Sequence, residues 1–237
     1  MKKYILPLLL MPALLISCGD TSFREKTSFK SLRGLQTADT AELEKRAKEY
    51  EGDSSGVPKY VNELSNIYYK LGFAYQNDKN WDRAIDAFQK ALKYGKDPAS
   101  CHYNLAVVYG NRGKDTGDGK DTALSEKHYR LALEKNPAFS DARYGLGILL
   151  FYEKNNKEEG LALMRQLVEK NRDYIRGYFA LGKFYYEMDR PERALAVYEA
   201  LYAQLERRSD RVEEVRLYKQ QCRENIDRLM RELSGKH

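Results

Sequence analysis

The residues best equipped for chemistry in this 237-residue chain are three cysteines, three histidines and one short acidic run. Cys101 and His102 are adjacent, so on a helix their side chains diverge by about 100° and do not readily share a metal ion. His102 therefore suits a packing slot, and His128 lies one place from an apolar stripe with no acidic partner in view. Cys101 and Cys222 fall in distant parts of the chain and are expected as separate, buried or half-buried thiols, because a disulfide needs close Cα atoms. Asp115, Asp118 and Asp121, with Gly117 and Gly119 among them, look faintly calcium-like. They lack the one-three-five ligand spacing of a calcium loop, which leaves a solvated flexible turn. The chain contains no Ser-His-Asp set, phosphate loop, paired metal motif or dinucleotide fingerprint. The expectation is a protein without catalytic residues, metal or cofactor, and so not an enzyme.

The elements behind these residues come from a recurrence. Leu71-Gly72-Phe73-Ala74-Tyr75 returns from Leu105, from Leu146 and from Leu181, at spacings of 34, 41 and 35 residues. A second pattern accompanies each first: Ala84, Phe88 and Ala91; Ser125, Tyr129 and Ala132; Gly160, Met164 and Leu167; Ala194, Tyr198 and Leu201. Residues three and four apart share one helix face, so each set is a buried stripe. The spacing predicts four helical hairpins, with small residues where the two helices cross. Tyr75, Phe88, Tyr109, Tyr129, Met164, Tyr185 and Tyr198 are expected to fill the space between neighbouring hairpins. A hairpin of this kind cannot bury its face alone, whereas a stack can. The extra residues behind the 41-residue spacing fall at 113–121, expected as an inserted loop.

These residues resemble the tetratricopeptide repeat (TPR) family over about Ser65 to Tyr202. The resemblance implies an all-α, right-handed superhelical solenoid of four hairpins, at 65–98, 99–139, 140–174 and 175–208. An N-terminal helical segment (41–64) and a C-terminal helix (209–237) would cap it. Asp210 with Glu213 forms a plausible capping pair for the latter. Its stripe of Val215, Tyr218, Cys222, Ile226, Leu229 and Leu233 suits either a terminal cap or self-association through helix 210–233.

In the family, the first helices of successive units line a concave groove. Carrying over its inward positions selects Tyr69, Phe73, Tyr103, Tyr144, Phe151, Tyr152, Phe179, Lys183 and Tyr186 as the partner-binding set, to which Asn104 is added as the one match to a ligand-holding Asn. The fifth position of every unit is aromatic: Tyr69, Tyr103, Tyr144, Phe179. Such rings either pack on the adjoining helix or offer a recognition surface with large apolar area and little entropy cost. Chaperone-docking members hold a C-terminal carboxylate with Lys and Asn at fixed positions. Here Tyr or Phe takes the Lys place and only Asn104 matches, so that clamp is not expected.

The front end carries a different signal. Lys2 and Lys3 precede a 13-residue apolar run, Tyr4 to Ile16, too short to span a bilayer but suited to a signal-peptide core. Leu15-Ile16-Ser17-Cys18 resembles the lipobox of bacterial lipoproteins. That implies cleavage of 1–17, lipidation of Cys18 and a tether over 18–40 that holds the folded part near the membrane. Several acyl chains hold where one binds marginally. Gly19 after the cysteine favours the outer membrane, facing the periplasm.

The net charge of +6 includes Lys2 and Lys3, and both signs are interspersed without a basic stripe, which disfavours nucleic acid. The expected function is a non-catalytic scaffold tethered to the bacterial envelope. It would bind envelope proteins in the aromatic groove during assembly of a complex. An envelope protein for apolar or lipid-like small ligands, or a partner of a solute transporter, is the alternative.

Overall fold

The computed structural model describes residues 37–52 and 60–235, so Cys18, the signal segment and all but the end of the tether lie outside the described residues. Ten α-helices and no strand are found among the described residues. They are α1 (Thr37–Gly52), α2 (Val61–Asn77), α3 (Trp81–Lys93), α4 (Pro98–Thr116), α5 (Gly119–Lys135), α6 (Ser140–Tyr152), α7 (Lys157–Lys170), α8 (Ile175–Glu187), α9 (Pro191–Glu206) and α10 (Val212–Ser234). Helices that adjoin in sequence pack against each other, and the principal exceptions are the contacts of α6 with α4 and with α8. This is the nearest-neighbour packing of a solenoid.

Polar caps and prolines place the helix starts. The side chains of Asn80, Asp97, Asp118 and Asn156 accept backbone N–H groups of Arg83, Ser100, Lys120 and Glu159. Each such cap is worth about 1 kcal/mol. Pro98 and Pro191 open α4 and α9, where the missing N–H costs nothing. The core runs as a file of clusters. Leu71, Phe88 and Leu105 lead to Ala106, Tyr129 and Leu146, then to Met164, Leu167 and Phe184, and finally to Leu201, Leu205 and Cys222.

The crossings are more specific than small on small. A Cβ on Gly72 would stand 2.5 Å from the Phe88 ring, and one on Gly182 would stand 2.5 Å from Tyr198. Gly147 likewise receives Met164. Phe88, Met164 and Tyr198 thus fill notches within their own hairpins as well as joining clusters that reach the next unit or helix. In the second unit Ala106 occupies the notch, and its carbonyl accepts the Ser125 hydroxyl at 2.7 Å. Tyr129 there packs onward, onto Gly145 of the next unit.

Four boundaries differ from expectation. Residues 113–121 are not a loop: the added residues lengthen α4 and α5 by about a turn each, and only Gly117 and Asp118 link them. Arg112 explains this, gripping Asp121 through two 2.7 Å bonds and also bonding Asp82 of the first unit. Asp115 accepts from Trp81 at 3.2 Å, and Asp118 caps α5. The three aspartates are therefore divided among separate tasks. Second, α1 begins at Thr37, inside the expected tether. Third, Val61–Leu64 forms the first turn of α2, not part of a separate N-terminal segment. Fourth, Asp210 does not cap α10; it pairs with Arg208 at 2.8 Å, and Arg211 enters the helix at φ 47° without a side-chain cap.

The stripe on α10 is consumed inside the chain. Val215, Tyr218 and Cys222 are buried with Leu201 and Leu205 of α9, while Leu229 joins the cluster around Leu181 and Tyr198. Self-association through that stripe is therefore not available to the folded chain. Its solvent side exposes only the scattered Val212, Leu217 and Met230.

The tightest crossing gives a test. A Cβ at Gly160 would lie 2.8 Å from the Gly147 carbonyl oxygen and 3.1 Å from the Phe151 amide nitrogen, both backbone atoms that cannot swing aside. Gly160→Ala is expected to cost about 1–3 kcal/mol in urea denaturation followed by circular dichroism. Gly119→Ala, with nothing within 4 Å of the new atom, is expected to be neutral or mildly stabilising.

Candidate partner-binding groove

Tyr69, Tyr103, Tyr144 and Phe179 come from α2, α4, α6 and α8, one per hairpin, and each is half-buried. Three rest on the large second-helix ring of their own unit. Tyr69 lies 5.7 Å from Phe88, Tyr103 lies 6.1 Å from Tyr129 and Phe179 lies 6.0 Å from Tyr198. The third unit has Met164 at that place, and Tyr144 instead tilts onto Tyr174 at 5.7 Å, just before α8. The rings are therefore held from behind while remaining partly open.

Two residues of the expected set do not face a partner. Asn104 is only 5% exposed. Its amide donates to the Tyr69 hydroxyl at 2.9 Å and to the Ser100 carbonyl at 2.8 Å, so it fixes a groove ring rather than touching a ligand. Phe151 is 1% exposed and stacks on Phe184 with centroids 3.7 Å apart. Gly160 permits this, since a Cβ there would stand 3.0 Å from that of Phe151. Phe73 is half-buried, its ring 5.3 Å from Phe88 and 5.0 Å from Tyr69.

The remaining residues form a polar rim. Tyr152 is 40% exposed and donates its hydroxyl to Glu187 at 2.9 Å. Lys183 pairs with the same carboxylate at 3.6 Å and lies 5.1 Å over the Tyr152 ring. Tyr186, 37% exposed, carries Arg228 of α10 over its ring at 5.3 Å. Tyr218 of α10 tilts toward Phe179 at 6.1 Å, so the last helix closes that end of the ring file.

A cluster absent from the expected set lies between the third and fourth units. The Tyr174 hydroxyl donates to Asp141 at 2.6 Å, and Arg176 sits 4.6 Å over the Tyr144 ring. Burial and the Asp141 carboxylate hold the Tyr174 phenol well above its ordinary range. Asp141 and Arg176 both fall at inward positions of the repeat, but Tyr174 lies in a linker, where the repeat pattern gives no signal.

The histidines form a contact that the spacing did not reveal. Nδ1 of His102 and Nδ1 of His128 are 3.1 Å apart, so one ring donates to the other. Tyr109 stacks on His128 at 5.4 Å. Burial, together with His102 and Lys127, holds the His128 imidazole down at about 4. Burial and Lys135 also lower His102, with Glu134 opposing. Cys101 and Cys222 are both buried and free, and burial pushes each thiol up to about 12. Neither is a ready nucleophile. Among the described residues no group of three or more His, Cys, Asp or Glu could hold a metal ion, and no helix is long and apolar enough to cross a membrane.

Comparison with known proteins places this arrangement. Tetratricopeptide repeat models match residues 65–98, 111–174 and 148–209. The photosystem I assembly protein Ycf3 of Acaryochloris marina is 30% identical over 99 residues, 40% of this chain and 55% of that protein. The chain spans about half the length of such curated relatives. Among solved structures, MamA from Desulfovibrio magneticus RS-1 superposes with a TM-score of 0.56 at 22% identity, covering 76% of this chain and 93% of that one. YrrB, described as having an unusual peptide-binding site, superposes with a TM-score of 0.52 at 20% identity, covering 85% and 95%. At these identities the structures share the fold.

The histidine pair gives a pH test. His128 is depressed in the folded chain, so the unfolded chain takes up its proton first as acid is added. Stability present above pH 6.5 or so is therefore lost as the pH falls toward 4, by about 2 kcal/mol. His128→Gln is expected to flatten that part of the stability profile relative to the parent. Parallel profiles would assign the acid sensitivity to other groups.

Proposed function

The chain belongs to the tetratricopeptide repeat family, and from that premise we propose that it is a non-catalytic adaptor held at the bacterial cell envelope, docking partner proteins along its concave aromatic face. The observation that carries this reading is the ring file: Tyr69, Tyr103, Tyr144 and Phe179 are set at one position of four successive units, each braced on one side. A braced, half-open ring offers contact area with little entropy left to lose on binding. The likeness to Ycf3, a protein whose name states a role in assembly, and to YrrB, with its peptide-binding site, supports docking as the activity. Leu15-Ile16-Ser17-Cys18 supports the tether, with Cys18 acylated and the repeats facing the periplasm from the outer membrane.

In-cell photo-crosslinking from a probe at Tyr144 tests the docking. A discrete protein adduct is expected, and Tyr103→Ala with Tyr144→Ala should abolish partner capture while helix content stays intact. A co-purifying lipid mass without a protein adduct would favour the apolar-ligand reading instead. Cys18→Ala is expected to move the protein from the membrane to the soluble fraction. Membrane retention, with no acyl mass on the parent protein, would remove the lipid anchor from the proposal.

A further inference from the structure

Arg176 holds a charge that no carboxylate among the described residues meets within ion-pair distance. It opens α8 on the concave side, half-buried, with its guanidinium against the Tyr144 ring. No carboxylate among the described residues forms an ion pair with it within 4 Å. Asp141, whose charge reaches it, already accepts the Tyr174 hydroxyl. Of the other groove cations, Lys183 pairs with Glu187, Lys96 donates to the neutral Asn66 amide at 2.8 Å in an exposed contact over Tyr69, and Arg228 is exposed. Counting Arg228 over Tyr186, four cations lie on groove rings, against three carboxylates, Asp141, Glu187 and Glu214, that each accept a tyrosine hydroxyl.

Burial desolvates this guanidinium, Asp141 offsets that only from beyond ion-pair distance, and an anion in direct contact would recover more of the cost. The planar fork of N–H donors fits a carboxylate through two parallel bonds. We propose that Arg176 is the anion anchor of the groove, taking an Asp or Glu side chain of an extended partner segment whose adjoining apolar residue lies on Tyr103 and Tyr144. The acceptor is a side chain within the segment, since the groove gathers no cluster of lysines for a chain terminus. Asp141 sets the strength of the site, because its charge opposes the incoming carboxylate. This rests on the docking reading above and adds the chemistry of what docks.

The test selects displayed random peptides on the full chain, then measures binding of the enriched sequences made with acetylated and amidated ends. The expected result is a shared Asp or Glu beside an apolar residue. Arg176→Gln should weaken binding by about 10- to 100-fold, and Arg176→Lys by less. Asp141→Asn, which keeps an acceptor for Tyr174, should strengthen binding a few-fold, a gain that loss of folding cannot produce. Rising salt should weaken the parent complex more than the Arg176→Gln complex.

Enriched peptides without an acidic residue would overturn the anchor, as would acidic peptides indifferent to both Arg176→Gln and Asp141→Asn. If such peptides still lose binding in the Tyr103→Ala, Tyr144→Ala double variant, the groove remains a docking site and only Arg176 loses its role. Enrichment of nothing would overturn the anchor and the docking reading together.

Discussion

Everything in this molecule depends on how closely two helices of a hairpin can approach. The first helix offers a notch and the second fills it: Gly72 with Phe88, Gly147 with Met164, Gly182 with Tyr198. The notch brings the backbones together, and the side chain that enters becomes fully or nearly fully buried. That same second-helix side chain then backs a groove ring in the first and fourth units, Tyr69 on Phe88 and Phe179 on Tyr198. The residue that closes the hairpin therefore also stiffens the recognition face. A close-packed interior transmits such constraints because little free volume remains to absorb them.

The third unit departs from this arrangement, and its groove differs as a result. Gly160 replaces the alanine or serine of the other units, and Met164 replaces the aromatic ring. Phe151 takes the space beside Gly160 and stacks on Phe184, so the contact between the third and fourth units is made by two rings face to face. With no ring behind it, Tyr144 leans toward Tyr174 in the linker. The polar cluster of Asp141, Tyr174 and Arg176 forms where this lean opens the face. The departure from the repeat pattern and this polar cluster thus fall at the same place in the groove.

The hairpins, their order and the aromatic file were legible in the sequence because each rests on periodicity: Leu71, Gly72 and Tyr75 recur at the period of one unit. What was not legible depends on partners distant in the chain. The Asp- and Gly-rich stretch at 113–121 has loop composition, yet Arg112 binding Asp121 and Asp82 holds it as helix, a tertiary contact overriding local propensity. Phe151 has the right register for the groove and Asn104 matches a ligand-holding Asn of the family, but one is drawn inward by the space at Gly160 and the other by Tyr69. His102 and His128 stand 26 residues apart and meet only because two helices of one hairpin run side by side.

A solenoid keeps its binding face open only if its ends are closed, and the two ends are closed by different physics. At the front, α1 buries only Leu43 and Ala47 and adds polar bonds: Glu44 accepts from the Tyr75 hydroxyl at 2.5 Å and from Arg83 at 3.1 Å, and Glu51 accepts from Tyr94 at 3.0 Å. Partly exposed polar links of this kind are individually weak. At the back, α10 is tied by burial of Val215, Tyr218, Cys222 and Leu229, which is worth more per residue. The front cap is therefore the end that opens first under stress, and Cys18 lies on that side of the chain. A pull transmitted through the proposed anchor would reach α1 before any hairpin. The partner-facing rings of the third and fourth units sit toward the far end, capped by the buried stripe of α10.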